Sequence, residues 1–139
     1  MPRLRADAKT KLIADVPLFA GLSKRELAQV AAIADEIDFR AGRVLIREGD
    51  PGREFFVLLE GEAELSQRGQ LLKKREPGDF FGEMALVSKR PRNATVTTTT
   101  PVRALVITER DFRSLLQRSP KIALKVLTAF VERLPPEEE

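Results

Sequence analysis

Phe80-Phe81-Gly82-Glu83-Met84-Ala85-Leu86-Val87-Ser88-Lys89-Arg90-Pro91-Arg92-Asn93-Ala94-Thr95-Val96-Thr97-Thr98-Thr99-Thr100 is the stretch whose reading decides the fold. It sets a glycine directly before a carboxylate, continues with helix formers, fixes a basic loop with a proline and runs out into β-branched residues suited to a strand. Gly82 has no side chain, so the chain can turn there and another molecule can approach its backbone closely. Glu83, Met84, Ala85 and Leu86 favour a single helical turn, whose first N–H groups find no partner within so short a piece and attract an anion.

Arg92 supplies the matching cation. Its planar fork fits two oxygens of a phosphate, and Pro91 keeps the preceding backbone extended so that the fork is presented at a fixed place. Glu83 is an acceptor only and does not suit a phosphate; it suits hydroxyl donors, which a ribose provides. An anion together with sugar hydroxyls describes a nucleotide. Taken one at a time, these residues have commoner meanings: an ion pair closing a loop, a turn glycine, ordinary core positions. Their order and spacing together favour a ligand site.

The run Phe81-Gly82-Glu83-Met84-Ala85-Leu86, followed by Pro91-Arg92-Asn93-Ala94-Thr95-Val96, resembles the phosphate-binding cassette of the cyclic nucleotide-binding domain family. That family includes the regulatory subunits of cyclic AMP-dependent protein kinase, the bacterial catabolite activator protein and cyclic nucleotide-gated channels. The resemblance implies that Glu83 accepts from the ribose 2′-hydroxyl and Arg92 binds the cyclic phosphate. It also implies a cradle of backbone groups from Gly82, Met84, Ala85 and, past the arginine, Asn93 and Ala94. Asn93 stands where cAMP-selective relatives often carry alanine or serine and cGMP-selective ones threonine. An amide can serve a phosphate oxygen or a base, so the purine preference stays open, with cAMP expected over cGMP.

A chain of 139 residues, 42% hydrophobic and 32% charged, suits one domain with one core. It contains no cysteine and no histidine, which excludes disulfides, thiolate chemistry, a Ser-His-Asp triad and histidine-based metal sites. A formal charge of +3 is a mild bias toward anionic ligands. No run approaches the ~18 consecutive apolar residues of a membrane helix, and the polar Met1-Pro2-Arg3-Leu4-Arg5 is unlike a secretory signal, so a cytoplasmic location is expected.

Along the chain, residues 1–11 read as polar, loose at their start and a frayed basic terminus, and Leu12, Ile13, Val16, Leu18 and Phe19 as a short helix leading into a docked loop. Ser23-Lys24-Arg25-Glu26 is a capping box for a helix ending near Asp35. From Ile37 onward short apolar runs, at Ile37–Phe39, Val44–Ile46, Phe55–Leu59, Ala63–Leu65 and from Leu71–Leu72, are divided by glycine turns, the pattern of an all-β sandwich or barrel. Gly49-Asp50 and Phe55-Phe56-Val57-Leu58-Leu59-Glu60-Gly61 resemble the β-roll of the same family. The expected fold is therefore mainly β with flanking α-helices, a jelly-roll-like double-stranded β-helix. The expected division is an N-terminal segment (1–22), a single binding domain (23–134) and an acidic tail (135–139). Thr97 to Thr100 read as a half-exposed strand, and Met1 as the start of a complete chain.

Thr108 caps one C-terminal helix and Ser119-Pro120 opens another. In the latter, polar Lys121, Lys125, Thr128 and Glu132 form one narrow stripe and most of the rest is apolar, more than one buried face requires. The surplus suits either a second chain, giving a homodimer through this helix, or the base of the ligand. By resemblance the helix is a lid and an output lever. Phe130 and Arg133 are the candidate base contacts, since an aromatic face or a guanidinium stacks on a purine; the alternative is a core phenylalanine and a solvated arginine. The expected function is a non-enzymatic cAMP sensor acting on a separate effector protein. The rival readings are a ligand-free interaction module of the same fold and a basic nucleic-acid binder using Lys89, Arg90 and the N-terminus.

Overall fold

The computed structural model describes residues 6–82 and 90–132. Helix α1 (Ala6–Ala14), a 3-10 turn (Pro17–Phe19) and α2 (Lys24–Ile33) precede strands β1 (Asp35–Phe39), β2 (Val44–Ile46), β3 (Glu54–Glu60), β4 (Ala63–Gln67), β5 (Gln70–Arg75), β6 (Phe80–Phe81), β7 (Thr95–Thr98) and β8 (Val102–Thr108). Helices α3 (Glu109–Arg118) and α4 (Pro120–Glu132) close the described part. The strands form two antiparallel four-stranded sheets, ordered β1-β8-β3-β6 and β2-β7-β4-β5. Apart from the β4–β5 hairpin, successive strands alternate between the sheets, which is the β-roll expected from the sequence.

The alternation of β3 divides the core. Phe55 and Val57 face the helices and join Leu105, Ile107, Phe112, Leu115 and Ile122, whereas Phe56 faces the roll interior with Phe81, Val96 and Val106. Phe55 stacks on Phe112 at 4.4 Å between ring centroids, and Phe56 on Phe81 at 5.3 Å. A single strand thus couples the helices to the inner wall of the roll. Ile13, Val16, Leu18 and Phe19 are buried in the same helix-side cluster.

Both expected caps form. The Ser23 hydroxyl accepts from Glu26 N at 3.1 Å while the Glu26 carboxylate accepts from Ser23 N at 2.8 Å, and that second bond holds the Glu26 carboxyl below its ordinary range. Thr108 accepts from Asp111 N at 3.2 Å. Two expectations are corrected and one short strand is added. The first helix begins at Ala6, inside the segment read as loose, because Lys9 Nζ donates to the carbonyls of Ala31 and Ala34 at the C-terminal end of α2. Phe80–Phe81 is a strand paired with Phe56 and Val57. The threonine run leaves the sheet after Thr98, and Thr98 is 1% exposed: its Oγ1 donates to Arg40 O at 2.6 Å and accepts from Arg43 N at 2.8 Å, latching the β1–β2 turn.

Asp38 and the buried Arg103 face each other across β1 and β8 and form an ion pair at 3.0 Å. The hydrogen bond from Arg103 holds the Asp38 carboxyl below its ordinary value. A carboxylate lowered in the folded state contributes stability above the unfolded value and loses it as pH falls through the folded one. The stability advantage of wild type over Asp38→Asn, followed by urea denaturation, should be complete at neutral pH and close as pH falls below about 4. A gap independent of pH would contradict this role.

Candidate functional site

Gly82, Arg92, Asn93 and Ala94 line one hollow of about 370 Å³ with Ile46, Phe81 and Val96 from the roll interior, within the size range of small-molecule sites. Its other wall is the β4–β5 hairpin, through Leu65, Gln67, Leu72, Lys73 and Arg75, and Glu132 at the end of α4 reaches its edge.

Arg92 is placed by backbone and fork together. Its N–H donates to Asp50 O and its carbonyl accepts from Gly49 N, each at 2.8 Å, so the loop is zipped to the Gly49-Asp50 turn. Its Nη1 donates to Gly82 O at 2.8 Å and its Nη2 to Glu54 O at 2.6 Å. Although the residue is only 8% exposed, it lines the hollow. The two bonds hold the planar guanidinium fork in one orientation at the wall of the hollow, where its geometry suits the oxygens of an anion. Gly82 sits at φ +97°, in the left-handed region, and a Cβ there would lie 2.9 Å from Arg92 Nη1 and 2.8 Å from Glu54 O. The glycine is required both for the turn and for the close approach of the fork.

Glu83, Met84 and Ala85 lie outside the described residues, as does Arg133, and Phe130 lies in α4 with its side chain outside the description. Sequence reasoning missed the hairpin wall. Arg75 ends the cationic run Lys73-Lys74-Arg75 and is buried to 8% exposure where the other β5 residues are exposed, a difference that the sequence does not display. Gln67 carried no signal, since its Nε2 donates at 2.8 Å to the carbonyl of Asn93, a residue distant in sequence. Among the described residues no group of three or more acidic, histidine or cysteine side chains is placed to hold a metal ion, and no helix is long and apolar enough to cross a membrane.

The described part is a β-roll with helices on one sheet and a buried arginine at the wall of an interior hollow. Residues 36–119 match the Cyclic nucleotide-binding domain, and the chain belongs to that family. It is 40% identical over 104 residues to the cAMP-dependent protein kinase regulatory subunit of Emericella nidulans, covering 73% of this chain and 25% of that one. To a cyclic nucleotide-gated potassium channel of Mesorhizobium japonicum it is 38% identical over 113 residues, covering 81% and 31%. The chain thus spans about a quarter to a third of the length of these curated relatives. Among solved structures, cAMP-bound PfPKA-R superposes with a TM-score of 0.81 at 27% identity, covering 91% of this chain and 44% of that one. The regulatory domain of Toxoplasma gondii PKA with cAMP gives 0.80 at 25% identity, covering 90% and 49%.

Proposed function

We propose that this chain binds a cyclic nucleotide reversibly, cAMP in preference to cGMP, and acts as a cytoplasmic sensor without chemistry on its ligand. The observation that carries the reading is the buried Arg92 fork, braced between Glu54 O and Gly82 O at the wall of a nucleotide-sized hollow. In this reading Arg92 binds the cyclic phosphate, Glu83 the ribose hydroxyl, and Gly82, Met84, Ala85, Asn93 and Ala94 complete the cradle. Relatives whose names specify cAMP support that ligand. Calorimetric titration tests it: a Kd of micromolar order or tighter for cAMP and a weaker one for cGMP are expected. A folded protein giving no heat with either would instead make the chain a ligand-free interaction module.

Helix α4 is suited to carry occupancy to a separate effector protein. Its first turn is anchored to the body, with Lys121 Nζ 3.2 Å from Gly21 O and 3.8 Å from Glu26 Oε1, while Glu132 at its other end lines the hollow. A ligand that contacts that end differently in two positions biases it between them. In this reading Phe130 and Arg133 cover the base.

Leu124, Leu127 and Val131 are 63%, 59% and 59% exposed, on the side of α4 opposite the buried Ile122 and Val126, and this favours a homodimer through the same helix. Light scattering should give twice the chain mass for wild type and a monomer for Val131→Glu. Equal masses for the two would contradict pairing through this face.

A further inference from the structure

We propose that the tip of the β4–β5 hairpin sets the placement of the Arg92 loop, with Gln67 and Glu48 as positioning residues for the ligand. This rests on the reading of the hollow as a nucleotide site. Three loops distant in sequence meet beside it: residues 48–50, the hairpin tip 67–69, and residues 92–95. Gln67 Nε2 donates to Asn93 O at 2.8 Å, fixing the residue that follows Arg92. Arg68 N donates to Glu48 Oε1 at 3.0 Å, and Glu48 N donates to Thr95 Oγ1 at 3.0 Å. With the paired bonds between Arg92 and the Gly49-Asp50 turn, these contacts close a ring of hydrogen bonds around the base of the arginine.

The tip is held in a demanding conformation. Arg68 has φ +53° and Gly69 φ +78°, successive left-handed residues as in a tight hairpin turn, and Arg68 is the non-glycine residue with positive φ among those described. A side-chain-bearing residue enters that region at a cost, and the Glu48 carboxylate accepts from its N–H and holds it there. The tip then presents Gln67 to the Asn93 carbonyl. These bonds lie at the surface, so each contributes little to global stability. The small stability contribution sets the diagnostic: their loss should be visible in ligand affinity while unfolding is nearly unchanged.

Gln67→Met keeps the length of the side chain and removes the donor. On the full chain it should weaken cAMP binding about three- to tenfold by calorimetry, the equivalent of one neutral hydrogen bond. In the ligand-free protein it should also displace the amide NMR signal of Ala94, whose peptide group contains the bonded Asn93 carbonyl. Glu48 does not line the hollow, so it acts only through the tip and the adjacent loops. Glu48→Met should weaken binding by a similar factor, and Glu48→Gln, which keeps an acceptor for Arg68 N, should restore wild-type affinity. The proposal is overturned if wild type binds cAMP and both methionine variants bind it equally well, or if Glu48→Gln is as impaired as Glu48→Met. A wild type that binds no cyclic nucleotide would overturn the site reading and this proposal together, an outcome distinct from failure of the hairpin tip alone.

Discussion

Arg92→Ala should abolish cyclic nucleotide binding at concentrations that saturate wild type, a loss of about a hundredfold or more by calorimetry. Removing one partner of a buried, hydrogen-bonded charge pair typically costs about 2–5 kcal/mol. Arg92 is such a partner once a phosphate enters, since it is 8% exposed and its fork is already fixed by Gly82 O and Glu54 O. Arg92→Lys should fail to rescue. An ammonium is a point charge without the planar spread that reaches two carbonyls and an anion together. The substitution should also destabilise the fold by about 1–3 kcal/mol, because two acceptors lose their donor. Exposed Arg110, which does not line the hollow, is the control: Arg110→Ala removes the same charge and should leave affinity unchanged. Equal loss in both variants would reduce the role of Arg92 to net charge.

Gly82→Ala should be nearly as damaging by a different route. The added methyl would fall 2.8 Å from Glu54 O, 2.9 Å from Arg92 Nη1 and 3.3 Å from Ile46 Cδ1, on a backbone at φ +97°. Left-handed strain costs about 1–3 kcal/mol, and a methyl forced into a filled space about 1–3 kcal/mol more. The nearest flexible group is the Arg92 fork itself, so relief of the clash displaces the binding residue. Affinity should fall at least about tenfold, with a lowered Tm. Gly42 separates the two causes: at φ +82° with nothing near its missing Cβ, Gly42→Ala should show a lowered Tm with normal affinity. Normal affinity in Gly82→Ala would mean that the fork does not need its present position.

What could be read from the sequence was local. The caps at Ser23 and Thr108 are contained within a few residues, and each is present with its donor and acceptor in place. Short apolar runs divided by glycine turns marked the strands, and β8 carries the buried apolar run 104–107 beside the ion-paired Arg103. Gly82 and Arg92 were each singled out within one short segment of sequence, and both line the hollow. Long-range contacts left no such trace. Phe80–Phe81 is a strand only because Phe56 and Val57 lie beside it, and Thr98 is buried only because the Arg40 and Arg43 backbone closes on its hydroxyl. Lys9 looked like part of a frayed basic terminus until the end of α2 supplied its acceptors. Gln67 and Glu48 are ordinary surface residues by type, and their relation to Arg92 exists only once three loops have met.

The central claim is that the Arg92 guanidinium holds the cyclic phosphate. A crystal structure of the full chain with cAMP tests it most directly. The account predicts phosphate oxygens within hydrogen-bonding distance of the Arg92 fork inside the hollow lined by Phe81 and Asn93. A nucleotide bound elsewhere, or one seated in the hollow with its phosphate turned away from Arg92, would contradict it.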